Sequence, residues 1–343
     1  MNGRTGTMRR VPSALYRARD LTGPALRDRV AQLSPEIRRV VGYHLGFVDA
    51  EGRASSGDGG KAIRPALALL SAEAVGSPAD VALPGAIAVE LVHNFSLLHD
   101  DVMDRDLERR HRPTAWALFG VGQAIVTGDA LMLLAQALLT EPPSPARSRA
   151  ASALGKATSE MIAGQAEDLS FESRLDVSVE ECLRMTAHKT GALLSCAASI
   201  GAILTGADEA AVSALADFGM HLGLAFQAID DILGIWGHPE VTGKPVASDL
   251  HAHKKTLPVV TALASSGKDR DRLFDLLPNG SLSEETAALA ADLVDRCGGR
   301  ERTQTEAERQ LDLALASLHR VPIEPGPRGE LEEVAAFVTT RDF

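Results

Sequence analysis

Cysteine is scarce in this chain: Cys182, Cys196 and Cys297 are the three in 343 residues, and no CxxC or other ligand-like spacing occurs. A sparse, odd set in a chain long enough to bury a large core argues against disulfide staples and for a reducing cytoplasm. Aromatic residues are only 4%. Runs of Val, Ile, Thr and aromatics of the kind that build strands are nearly absent, which argues against a sheet. Positive charge is the minor sign, with 35 Lys and Arg against 46 Asp and Glu and a net charge of −11. Nucleic acid is therefore not the expected partner, because phosphate backbones need a basic face. A small anionic substrate would need locally gathered Lys and Arg, or metal ions as intermediaries. The first 23 residues are basic but carry no apolar core of signal-peptide type. No run of about 18 uncharged apolar residues was found, so no membrane-crossing helix is expected.

What the chain does have is Ala and Leu at helical period, within a hydrophobic fraction of 45%. The pattern predicts helices at roughly 24–49, 62–76, 80–105, 113–140, 145–171, 178–204, 208–236, 254–265, 283–297 and 301–320. Pro, Gly, Ser and Asp clusters separate them, as in SSGDGG at 55–60 and EPPSPA at 141–146. No shift of composition divides the chain. The expectation is a single all-α domain over 24–343, with 1–23 a flexible tail and Met8 an alternative start. Segments 113–135 and 191–204 are apolar nearly all round and should lie in the core of a bundle.

The strongest local signal is LLHDDVMDRDLERRHRPT at 97–114. Asp100 and Asp104 are four residues apart, so on a helix their carboxylates point the same way, with Asp101 beside them. Such clustering costs helix stability and calls for a cation. Oxygen-only ligands suit Mg²⁺, which often shares its sphere with substrate phosphates. A solvated acidic helix end would leave the same trace, but here an apolar turn (Val92, Phe95, Leu97, Leu98) precedes it. The cluster Arg109, Arg110, His111 and Arg112 follows at once; guanidiniums can clamp phosphate oxygens that metals also hold. Plain charge compensation is the alternative.

A second acidic pair, Asp230 and Asp231, sits near the end of a very apolar helix. Two adjacent carboxylates there are costly to bury without metal or cationic partners. Gln227 shares the face of Asp231, and Lys244, Asp249, Lys254 and Lys255 come in the segment that follows. Two further basic groups complete the set: Lys61 and Arg64 in GKAIRP, and Lys189 with Thr190 in KTG. Either could be an ordinary helix start. Glu90-x-x-His93 and Glu108-x-x-His111 match the spacing of di-iron bundles, but the two lie too close together in sequence for separate helices.

With these blocks in order (GGKAIRP, LVHNFSLLHDDVMD, RRHRPT, GDA, GQAEDL, KTG, FQAIDD and GKP…DL…KK), the sequence resembles the trans-polyprenyl diphosphate synthases. The resemblance implies an all-α bundle of isoprenoid synthase type around a deep central cavity, generally a homodimer. It implies Mg²⁺-dependent 1'-4 condensation of isopentenyl diphosphate with an allylic diphosphate, with three Mg²⁺ ions per site. Asp100, Asp104 and Asp230 would be the metal ligands. Arg109, Lys189, Thr190, Gln227, Lys244 and Lys254 would hold the allylic diphosphate. Lys61, Arg64, His93 and Arg110 would hold isopentenyl diphosphate. Two departures stand out: Gly234 replaces the third Asp usual in the second motif, and His111 stands where Gly is common. In the family the growing tail runs from the first Asp motif towards the helix N-terminus. Phe95 would then be the floor about 7.5 Å back, with Ser96 at about 6 Å and Val92 one turn below. Small Ser96 beside bulky Phe95 implies a C20 product, geranylgeranyl diphosphate, with C15 farnesyl diphosphate next. A terpene cyclase of the same fold, or a non-catalytic subunit of a heteromeric synthase, are the alternatives. Intact Lys61, Arg64 and Arg110 speak against the first, and the presence of both Asp pairs against the second.

Overall fold

The computed structural model describes residues 11–55, 60–238, 246–277 and 282–339. The helices run α1 (Ser13–Val30), α2 (Pro35–His44), α3 (Ile63–Ala74), α4 (Leu83–Met103), α5 (Ala115–Phe119), α6 (Val121–Thr140), α7 (Pro145–Phe171) and α8 (Val179–Thr186). They continue as α9 (Ala192–Thr205), α10 (Glu209–Trp236), α11 (Ser248–His251), α12 (Leu257–Leu263), α13 (Lys268–Leu276), α14 (Glu284–Arg296), α15 (Gly299–Leu318) and α16 (Pro325–Thr339). Among the described residues the only strands are β1 (Glu108–Arg109) and β2 (Arg112–Pro113), a two-stranded antiparallel hairpin. The fold is all-α, as the composition predicts.

Local chemistry explains most boundaries. Pro35 and Pro145 begin α2 and α7, where a missing N–H costs nothing. Ser178 and Glu181 form a reciprocal capping box at α8, and the Asp208 side chain accepts from the Ala211 N–H at α10. The expected helix 24–49 is two helices, because Ser34-Pro35 starts a fresh one. The expected helix 113–140 is interrupted by Gly120 at φ +87°, which separates α5 from α6. The expected tail is also corrected: residues 13–23 are part of α1, whose Ala14, Leu15 and Ala18 are buried in the core. Its Arg-rich outer face hid that stripe. Helices α13 and α16 are additions that the periodicity missed.

The main core is centred on α3, α4, α6, α7, α9 and α10, with α1, α2, α15 and α16 packed into it. Leu67, Leu131 and Leu193 are fully buried in it, each contributing roughly 1.5–3 kcal/mol. Among the described residues, four helical stretches are long and apolar enough to cross a membrane, contrary to the expectation from uncharged runs: Ala79–Met103, Val121–Thr140, Val179–Thr205 and Glu209–Trp236. Occasional charges within them had concealed this. In three the bundle buries 56–72% of the apolar window, but in Val121–Thr140 only 33%. The exception is α6, which leaves an apolar face uncovered.

Candidate active site

A cavity of about 1140 Å³ lies between α4 on one side and α10 on the other, with α6, α7 and α9 around it. A second cavity of about 590 Å³ adjoins it, and Lys61, Lys189, Thr190, Gln227 and Asp230 line both. The apolar part of the larger wall comes from residues such as Met132, Met161, Leu193 and Phe226.

The carboxylates enter from opposite walls. Asp100, in the last turn of α4, faces the larger cavity. Burial pushes its carboxyl up to about 6, with Asp104 adding to the rise, while Lys189, Arg109 and Lys254 oppose it. Asp101 is 1% exposed and ion-paired with Arg109 Nε at 2.7 Å. Asp104 caps the C-terminus of α4, is bridged to Lys254 at 2.9 Å, and lies outside both linings. On α10, Asp230 lines both cavities, whereas Asp231 lines only the smaller one and is also bonded into the frame. It accepts from the Leu257 backbone N–H at 3.0 Å and from Gln227 at 2.9 Å. Burial still pushes Asp231 up to about 7 against those two bonds.

Gly234 accounts for the shortened second motif. A Cβ there would stand 2.0 Å from Asp249 Oδ2. The space one helical turn beyond Asp230 is therefore filled by a carboxylate from α11, which a side chain at position 234 would have to displace. Asp249 lines the smaller cavity with Asp230. Among the described residues no three His, Cys, Asp or Glu side chains gather tightly enough to hold a metal ion unaided. The donors nevertheless suit Mg²⁺: all are carboxylate oxygens, few per wall, which leaves coordination places for substrate oxygens.

The cations are held by the frame. Lys189 and Thr190 lie in a π-helical turn, Ala187–Gly191, between α8 and α9, a distortion that is frequent at functional sites. Gly164 of α7 lets that turn approach, since a Cβ would lie 2.4 Å from the Lys189 backbone nitrogen. Lys189 pairs with Asp168 at 2.5 Å, and Thr190 donates to Gln227 Oε1 at 3.0 Å. Arg64, Glu90, His93 and Arg110 form a second group on the cavity wall. Burial pulls Arg64 down, opposed by Glu90 and Asp230; burial and three arginines hold His93 neutral. Arg110 and His111 both adopt left-handed backbone, φ +52° and +58°, forming the two-residue turn of the hairpin. That conformation explains why glycine suits position 111, and histidine is among the residues that tolerate it. His111 and Glu108 are thus hairpin residues, not helical metal ligands. Lys244 lies outside the described residues.

Phe95 and Ser96 both line the larger cavity. Phe95 packs edge-on against His99, ring centroids 4.9 Å apart. Val92 is fully buried and lies outside both linings, one turn behind Phe95. The sequence assigns no role to His44, carries Asp168 only within the GQAEDL block, and offers Glu90 only as half of a di-iron spacing. Only the tertiary structure brings the three to the cavity walls.

An all-α bundle with carboxylates on facing walls of a partly apolar cavity defines the isoprenoid synthase class of fold. Residues 51–294 match the Polyprenyl synthetase family. A (2E,6E)-farnesyl diphosphate synthase of Mycobacterium bovis is 46% identical over 97% of this chain and 94% of its own length. A geranylgeranyl diphosphate synthase of Mycobacterium tuberculosis is 42% identical over 89% of this chain and 87% of its own. The crystal structure of a polyprenyl synthetase from Streptomyces coelicolor A3(2) superposes with a TM-score of 0.92 at 50% identity, covering 96% of this chain and all of that one. The chain belongs to the polyprenyl synthetase family and is a trans-prenyltransferase.

Proposed function

We propose that this enzyme condenses isopentenyl diphosphate with allylic diphosphates, using Mg²⁺, to give a short-chain prenyl diphosphate, chiefly C20. The observation that carries the reading is the placement of Asp100 and Asp230 on facing walls of a cavity large enough for a polyprenyl tail. Asp100, Asp104 and Asp230 would hold Mg²⁺, with Asp249 beside Asp230 in place of a carboxylate at position 234. When bound, Mg²⁺ neutralises the charge that develops on the departing diphosphate. Lys189, Thr190, Arg109, Gln227 and Lys254 bind and orient the allylic diphosphate, and their present partners Asp168, Asp101 and Asp104 keep them in place. Lys61, Arg64, His93 and Arg110 bind the isopentenyl diphosphate. The apolar wall excludes water from the allylic cation. The test is purified enzyme with Mg²⁺, isopentenyl diphosphate and C5, C10 or C15 allylic starters, with products sized by chromatography. Failure to consume isopentenyl diphosphate would leave the cyclase reading instead.

The C20 assignment rests on Phe95 as floor and on small Ser96 beside it. One isoprene unit spans about one helical turn of 5.4 Å. Phe95→Ala should therefore lengthen products by about one unit, to C25, and Ser96→Phe should shorten them towards C15. Product distributions from geranyl and farnesyl starters check both, and no change in either variant removes the basis for C20.

The uncovered face of α6 supports a homodimer. Val121, Ile125, Val126 and Leu133 are 41–66% exposed along it, and large apolar side chains exposed together on one helix mark an interface. Light scattering should give twice the chain mass for the wild type and the monomer mass for Val126→Glu/Leu133→Glu. A cytoplasmic location is proposed on the three unpaired cysteines.

A further inference from the structure

None of the metal or diphosphate ligands comes from the GDA block at 128–130. That block lies on α6, against His99 near the end of α4. A Cβ at Gly128 would stand 2.3 Å from His99 Nε2 and 2.5 Å from Cδ2, far inside ordinary contact. The missing side chain is therefore a notch that the imidazole fills. His99 Nε2 lies 3.0 Å from the Ile125 carbonyl oxygen. A carbonyl only accepts, so Nε2 carries a hydrogen and donates it. Asp129 Oδ1 stands 3.8 Å from the same nitrogen. Shape and a hydrogen bond together fix this ring to α6.

The same ring meets Phe95, four residues back on the same face of α4. Their centroids are 4.9 Å apart and their planes 73° from parallel, the edge-to-face arrangement that aromatic rings prefer. Among the described residues no other ring meets Phe95 in this way. Phe95 and His99 both line the larger cavity. A phenylalanine in a helix has two accessible χ1 wells, which put its ring in different places. A floor therefore needs something to choose between them. His99, itself locked to α6, makes the choice.

We infer that His99 is a specificity-determining residue for product length that acts through Phe95: seated in the Gly128 notch, its imidazole holds the Phe95 ring across the cavity as a fixed floor. The inference rests on the assignment of Phe95 as that floor. His99 is a positioning residue, since its ring is placed against Phe95 and its donor is spent on Ile125. Without the imidazole edge the Phe95 ring divides between its wells, and a tail passes whenever the ring stands aside. An aromatic pair of this geometry corresponds to about a 2- to 12-fold bias between two placements. The floor is then a joint property of α4 and α6, and the glycine of the GDA block is part of it.

Two substitutions separate the ring from the hydrogen bond. His99→Gln keeps a donor for the Ile125 carbonyl but has no ring; His99→Phe keeps a ring edge but has no donor. Products are sized by chromatography from a farnesyl starter, isopentenyl diphosphate and Mg²⁺. The ratio of the product one unit longer to the main product should rise about 2- to 12-fold in His99→Gln and stay close to wild type in His99→Phe. The melting temperature should fall more in His99→Phe. A residue that merely ties α4 to α6 would leave products unchanged in His99→Gln, and that result overturns the inference. Phe95→Ala/His99→Gln should match Phe95→Ala alone, because residues acting through one contact are not additive. A further shift in the double variant would make His99 a wall in its own right and also overturn the inference. The glutamine and double variants decide the case if His99→Phe does not fold. If Phe95→Ala itself leaves product length unchanged, the floor assignment falls and this inference with it. A longer product from Phe95→Ala with an unchanged ratio in His99→Gln sinks the inference alone.

Discussion

Asp100→Ala and Asp230→Ala should each lower turnover by a factor of about 10²–10³ or more while leaving the fold intact. The two carboxylates face the cavity from different helices, whereas Asp101 is held by Arg109 and Asp231 by the Leu257 backbone N–H. Burial already pushes Asp100 up to about 6, which means that its negative charge is a cost to the free protein. Removing it leaves no buried cation without a partner, because Arg109 keeps Asp101 and Lys189 keeps Asp168. The melting temperature should therefore hold or rise as activity disappears. The same separation should fail at Asp231, which holds the first backbone N–H of α12. Turnover by chromatographic assay, with melting curves on the same preparations, checks the claim. Near wild-type turnover in either alanine variant, or full activity in excess chelator, would refute the metal assignment.

The parts of this protein that were legible in the sequence are those where local pattern and final structure share one cause. Helices α7 and α10 appear at nearly their full length because caps and apolar period coincide at Ser144, Asp208 and the segments they start. Asp100 and Asp230 were legible because clustered carboxylates in apolar helices are costly without cationic partners. What was hidden depends on approach between distant segments. Gly234 read as a defect in the second motif, yet Asp249 from another helix fills the same space. His111 read as an oddity until its left-handed φ of +58° showed what the position demands. Val92 shares a helix with Phe95, and spacing alone could not tell that one lines the void while the other is sealed behind it. His44 has no local signal at all. Only packing brings it to the cavity wall.

Arg64→Gln should raise the KM for isopentenyl diphosphate by about 10- to 100-fold, the range expected for losing a hydrogen bond to a charged group, and change the allylic KM far less. Arg64 lies in the first turn of α3 on the cavity wall, with Glu90 as its stronger counter-charge and Asp230 as the weaker. Burial pulls it down from its ordinary value, but a guanidinium stays protonated throughout the working range. It is a fixed, planar donor whose geometry suits two phosphate oxygens at once. Glutamine keeps a hydrogen-bonding head of smaller size without the charge or the fork. The buried Glu90 is then left without its strongest cation; burial already pushes it up, so it can take a proton and stay in place rather than disrupt the fold. Arg64→Lys separates charge from geometry: a point charge restores the long-range attraction but not the paired bonds, and its KM should fall between the other two. Steady-state kinetics with each substrate varied in turn provides the measurement. Equal increases in both constants would mean that Arg64 serves the whole cavity, and the division of the basic residues into two diphosphate sites would have to be redrawn.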